Sequence, residues 1–276
     1  MVLRFFILAV AFLLSCTSIE RDSVCDEKSI KYNGCVGGFS SSSSVTVSSL
    51  SSSSSSGSIV YGVPVTYQGE TYKTVEIGTQ TWMASNLKYA APGSKCGGGG
   101  VEGVLLEDEN TTVCNIYGRL YNWATAMALP ASCNCNGGDT DCSIDCSGKI
   151  TRKHKGICPA GWHIPSNEDW NVLMKFINSR CSDDRDCDGA GTKLKATIGW
   201  TSPSTDDFGF SALPGGFGND GLLISVAQEG NWWSYRWRTE FAPITNPQSR
   251  QITKSESVSV RGYDSSWLLS VRCVKD

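Results

Sequence analysis

The chain has 276 residues, with 24 lysines and arginines against 27 aspartates and glutamates, for a net charge of -3. Nothing in that balance suggests a nucleic-acid partner, and none is expected. A hydrophobic share of 40% allows a sizeable core, and the 13 cysteines make the folding compartment the first question.

The N-terminus answers it. "MVLRFFILAVAFLLSC" carries one positive charge, Arg4, followed by an apolar run from Phe5 to Leu14. This run falls short of the roughly 20 residues of a membrane-spanning helix and fits an export signal. Its end, "LLSC", resembles the lipobox of bacterial lipoproteins. The resemblance implies cleavage before Cys16, a lipid on the Cys16 thiol as the membrane attachment, and, with Thr17 next, the outer membrane. Ordinary cleavage nearby and an uncleaved anchor are the alternatives. Residues 1–15 are thus read as signal peptide and 16–39 as anchor with a small cysteine loop. Residues 40–58, almost all serine, have nothing to bury and read as a tether of roughly 25 Å mean span. Residues 59–276 are the folded domain.

Export sets the expectation for the remaining cysteines, 13 less Cys16, or twelve, in an oxidising compartment. Cys25 with Cys35, and Cys181 with Cys187, are near enough in sequence to close short loops. Cys133, Cys135, Cys142 and Cys146 read as further disulfide cysteines, with a four-thiolate zinc site as the alternative.

Along the domain, Val75 and Ile77 alternate with Thr74 and Glu76 before a turn at Gly78-Thr79, which predicts a hairpin. "YGRLYNWATAMALP" places Leu120, Trp123, Ala124 and Met127 on one helical face and predicts a helix stopped by Pro130. A second helix is expected after Ser166, a good N-cap, with Asp169 three residues on and Trp170, Leu173, Met174 and Ile177 at helical spacing. The C-terminal run alternates Leu269, Val271 and Cys273 with Leu268, Ser270 and Arg272, predicting a closing strand with one buried face.

"TVEIGTQTWMASNLKYA", "YGRLYNWATAM", "ICPAGWHIPSNEDW", "GTKLKATIGW", "DDFGFSALPGGF", "GNWWS" and "SVRCVKD" follow one another over about residues 65–276. In that order they resemble the Fibrobacter succinogenes major paralogous domain. The resemblance implies an α+β, C-type-lectin-like fold distantly similar to formylglycine-generating enzymes. Short irregular sheets and about two helices would be closed by terminal strands and disulfides, with Cys158 pairing with Cys273. Such a bridge, enclosing more than a hundred residues, contributes about 5 kcal/mol at most in the loop-entropy account. Trp162 and Trp170 would then pack the core, with His163 as a hydrogen-bonded packing residue, while His154 sits in a basic run that reads as solvated. No segment matches the cysteine-bearing active site of the formylglycine-generating enzymes, so no catalytic residue is assigned.

Two segments read as candidate binding sites. Asp184, Asp186, Asp188 and Gly189 have the spacing of a calcium loop, yet its twelfth position is Lys195 rather than a bidentate acid. A solvated acidic loop is the alternative, and calcium is the only cofactor the sequence suggests. In "NWWSYRWR", Tyr235 and Trp237 lie beyond the paired tryptophans, where they either pack the core or stack on a sugar. Arg236, Arg238, Asp206 and Asp207 would serve its hydroxyls. The reading is a non-enzymatic surface lipoprotein that binds polysaccharide or another extracellular macromolecule. The alternatives are a structural envelope protein binding other surface proteins and an enzyme related to the formylglycine-generating enzymes.

Overall fold

A computed structural model describes residues 58–99, 103, 111–134, 146, 148–236 and 247–276. All fall in the unit Ser54–Asp276. The signal, Cys16, the Cys25 and Cys35 loop and nearly all of the serine tether lie outside the described residues, as do Cys135, Cys142, Trp237 and Arg238.

Two hairpins open the domain. Strands β1 (Val65–Tyr67) and β2 (Glu70–Tyr72) are joined through Gln68 and Gly69, both with positive φ, the turn geometry that follows strand twist. Strands β3 (Thr74–Ile77) and β4 (Gln80–Met83) pair in the predicted register about Gly78 and Thr79. This second hairpin joins β14 (Val274–Lys275) and β7 (Trp162–His163) in a four-stranded sheet ordered β3-β4-β14-β7.

The larger sheet has six strands. From one edge they are β12 (Val258–Gly262), β11 (Gln248–Ile252), β10 (Gly230–Ser234), β13 (Leu269–Ser270), β6 (Arg119–Tyr121) and β5 (Lys95–Cys96). A separate hairpin pairs β8 (Phe217–Asn219) with β9 (Leu222–Ile224). Successive strand residues point to opposite faces, so the adjacent Trp232 and Trp233 enter different cores. Trp233 joins Tyr121, Met127, Cys158, Leu269 and Val271. Trp232 joins Trp82, Trp170, Leu173, Phe210 and Ile252.

The described helices are α1 (Thr111–Tyr117), α2 (Trp123–Ala126), α3 (Asn167–Ile177) and α4 (Ala190–Leu194). Helix α3 begins as predicted. The Ser166 side chain accepts from the Asp169 backbone, the Asp169 carboxylate accepts from the Ser166 backbone, and Trp170, Leu173, Met174 and Ile177 form the buried face. The helix expected from Tyr117 to Met127 is corrected to a strand followed by a single turn. Leu120 and Tyr121 pair with Ser270 and Leu269, and only then does Asn122 cap α2. Sheet pairing overrides a 3.6-residue apolar spacing here, because the spacing says which residues are buried and not what they are buried by.

The closing strand is also corrected. Its residues split between the two sheets, and both of its rows are buried, including Ser270 and the fully buried Arg272. The Arg272 guanidinium lies 4.3 Å over the Phe210 ring and 5.7 Å over the Trp232 ring, and it donates to Asn86 Oδ1 and to the carbonyls of Phe210 and Ser211. Rings and carbonyls replace solvent around a charge that has no carboxylate within ion-pair distance among the described residues.

Four disulfides join the described cysteines: Cys96–Cys114, Cys133–Cys146, Cys158–Cys273 and Cys181–Cys187. The Cys133–Cys146 bond removes two of the four thiolates that a zinc site in that cluster would need.

Candidate functional site

The acidic loop closes a sheet edge. Strand β12 is the outer strand of the six, with donors and acceptors open on one side. Cys187 exchanges both backbone hydrogen bonds with Val258, and the Asp186 carboxylate accepts from the Val260 N–H and the Ser259 hydroxyl, each at 3.0 Å. Asp188 accepts from Ser257 at 2.6 Å. Asp184 turns elsewhere, to Arg236 at 2.7 Å and Asn171 at 3.2 Å. The carboxylates expected to converge on calcium, Asp184, Asp186 and Asp188, diverge to separate donors, and no group of three or more potential metal-ligating side chains occurs among the described residues. Lys195, at the position where calcium needs a bidentate acid, is buried and donates to Ser202 and the Ser255 carbonyl. Burial lowers its pKa, the charge of Glu256 acting against that.

The stretch around His163 is built for closure. His163 is buried between two carboxylates, Nδ1 at 2.7 Å from Asp276 and Nε2 at 3.2 Å from Asp169. Burial alone would raise the Asp169 pKa, but hydrogen bonds from His163 and Ser166 hold it below its ordinary value. The imidazole thus ties the C-terminal residue to the start of α3. Cys158 is bonded to Cys273, so its sulfur is not a thiolate. His154, expected in solvent, is half-buried, with Nε2 at 2.7 Å from the Met127 carbonyl, and burial lowers its pKa.

The predicted sugar-contacting set does not assemble as expected. Tyr235 is 1% exposed, and its hydroxyl accepts from the His154 backbone at 2.9 Å. Its ring is therefore core, with a phenol that burial pushes well up. The Asp206 carboxylate is taken by the backbone and hydroxyl of Ser211, which holds a turn, and Asp207 is exposed. Arg236 pairs with Asp184 from the acidic loop. Two segments treated separately in the sequence therefore meet through this ion pair, and Trp237 lies outside the described residues.

A different aromatic group reaches the surface. Tyr263 and Trp267, in the loop between β12 and β13, are partly exposed and pack against the Trp233 core. Trp267 stacks on Phe217 at 5.1 Å with the rings 2° apart, and Tyr263 tilts against both. Behind them, the Tyr263 hydroxyl donates to Asn231 Oδ1 and accepts from Gln251 Nε2, both at 2.9 Å. Gln251 Nε2 also donates to Glu229 Oε2 at 2.9 Å. Asn231 and Gln251 are opposite each other on β10 and β11, so sheet register places the two amides together. Nothing in the sequence reading singled out "GYDSSW". Two aromatics within five positions of a Gly- and Asp-marked loop were the available signal.

The model of the Fibrobacter succinogenes major domain matches residues 75–275. The chain belongs to this family. Comparison with curated proteins found no match, and comparison with solved structures found none. The matched region of this Fibrobacter major domain spans the β3–β4 hairpin, the capped helix α3, the edge-closing acidic loop and the Tyr263–Trp267 rim.

Proposed function

We propose that this Fibrobacter major domain is a lipid-tethered module of the bacterial envelope that binds polysaccharide rather than transforming it. The observation that carries the reading is the partly exposed Tyr263–Trp267 pair, backed by Phe217, with the partly exposed Glu229 carboxylate held by the buried Gln251 and Asn231 amides. Aromatic rings provide large contact at small entropic cost and pack on the apolar face of a pyranose, while a fixed carboxylate meets its hydroxyls. The export signal, Cys16 and the serine tether support outward display, and the Cys158–Cys273 bond supports binding over thiol chemistry.

The test is retention of the exported full chain on insoluble cellulose, xylan and peptidoglycan. Trp267→Ala is expected to weaken retention about tenfold or more, as loss of one stacking ring implies, while melting cooperatively. Unchanged retention in that variant, or none in the parent, would sink the reading.

A second reading, an envelope protein that binds other surface proteins, has its own support. Val172 and Phe176 stand one helical turn apart on the outer side of α3, 46% and 54% exposed. This reading predicts cross-linking to envelope proteins that is lost in Phe176→Ser, with no polymer retention.

A further inference from the structure

Resting on the reading of the Tyr263–Trp267 rim as a glycan platform, we infer that its ligand is an uncharged glycan and that carboxylated sugars are rejected there. The rim's polar groups are matched to hydroxyls. Glu229 Oε2 is held by Gln251 at 2.9 Å and by Asn231 at 3.5 Å, which fixes the carboxylate and leaves Oε1 to accept. A fixed carboxylate oxygen suits one or two sugar hydroxyls, each a charge-assisted hydrogen bond. The indole N–H of Trp267 has no acceptor among the described residues and is not buried, so it stands beside the ring as a donor.

Among the described residues, the rim carries the carboxylates of Glu229 and Asp264. Glu229 lies behind Tyr263, and Asp264 follows Tyr263 in the loop, where its carboxylate accepts from the backbone and hydroxyl of Ser266. Among the described residues the nearby cation is Arg261, which is paired with Asp186 at 3.5 Å and with the Val260 carbonyl at 2.8 Å. The field of Glu229 reaches the ring: burial first, then the Glu229 charge, push the Tyr263 phenol up to about 12 against the opposing effect of Arg261. A uronate bound over these rings would bring its carboxylate toward Glu229 and Asp264, with no free guanidinium at the rim among the described residues to receive it. A neutral sugar meets no such repulsion.

The experiment is affinity electrophoresis of the exported full chain, solubilised in detergent, in gels containing polymers paired by backbone. Hydroxyethylcellulose is set against carboxymethylcellulose, and neutral arabinoxylan against glucuronoxylan. The neutral member of a pair is expected to retard the protein at least about tenfold more strongly at low salt, a gap that narrows as salt screens the carboxylates. Glu229→Gln should narrow it as well. Asp264→Asn, which keeps an acceptor for Ser266, is the second variant, and a thermal melt confirms that each is folded. Equal or stronger retardation by the charged member overturns this inference and leaves the platform reading standing. No retardation by any of the four polymers overturns both.

Discussion

Arg272 is the residue on which both cores converge. It is fully buried, it follows a core residue of the Trp233 side, and it stacks on Phe210 and Trp232 of the other. Burial lowers its pKa to about 9, with the charge of Asp206 opposing, so the guanidinium stays charged at neutral pH. A planar fork serves the Asn86 side chain and two carbonyls at once, which a lysine ammonium on a thinner stem does not reproduce. Arg272→Lys is therefore expected to cost about 2–4 kcal/mol in a urea titration, because charged donors and a buried acceptor lose their partners. A cost below about 0.5 kcal/mol, the usual range for surface changes, would show that the stack is not structural.

Among the elements, the acidic loop is one whose role the structure redefines. In sequence its alternating aspartates have calcium spacing; in the structure the same alternation runs beside an edge strand, and each carboxylate finds a different donor. Asp186→Ala is expected to lower stability by about 1 kcal/mol through loss of its bonds to Val260 and Ser259. Calcium or chelator is expected to leave the melting temperature of the unaltered protein unchanged. A rise in melting temperature with millimolar calcium would contradict the edge-closure account, since a ligand bound only by the folded state must stabilise it. Helix α3 was legible because capping residues and apolar period agree locally. The Leu120–Met127 stretch was not, because a strand buried on both faces and a short helix leave overlapping apolar patterns.

For the whole molecule, pH reports the burial of its phenols. Burial leads in raising the pKa of each of four tyrosines: to about 12 for Tyr72 and Tyr263, and well above the ordinary value for Tyr121 and Tyr235. A group whose folded pKa lies above its unfolded value of 10.0 supports the fold fully below that pH and loses the support as pH rises through the folded value. Stability to denaturant is thus expected to fall from pH 10 toward 12. In the other direction, the depressed Asp169 contributes support that is present above 3.8 and lost as pH falls below it. Unfolding titrations with tyrosinate absorbance at 295 nm would check the alkaline limb, and a flat profile between pH 10 and 12 would contradict the burial of the phenols.

The sequence by itself determined family, the β3–β4 hairpin, the capped start of α3 and the Cys181–Cys187 closure, all of which rest on residues close together in the chain or on an ordered set of motifs. Only the tertiary structure decided which aromatics reach the surface. Tyr235 follows the last residue of β10 directly and is sealed by His154 and α3, whereas Tyr263 and Trp267 lie past the end of an edge strand and stay partly exposed. Exposure depends on what packs over a side chain, and those covering residues come from segments as much as 81 positions away. A pattern read along the chain carries period and propensity, but it does not carry that cover.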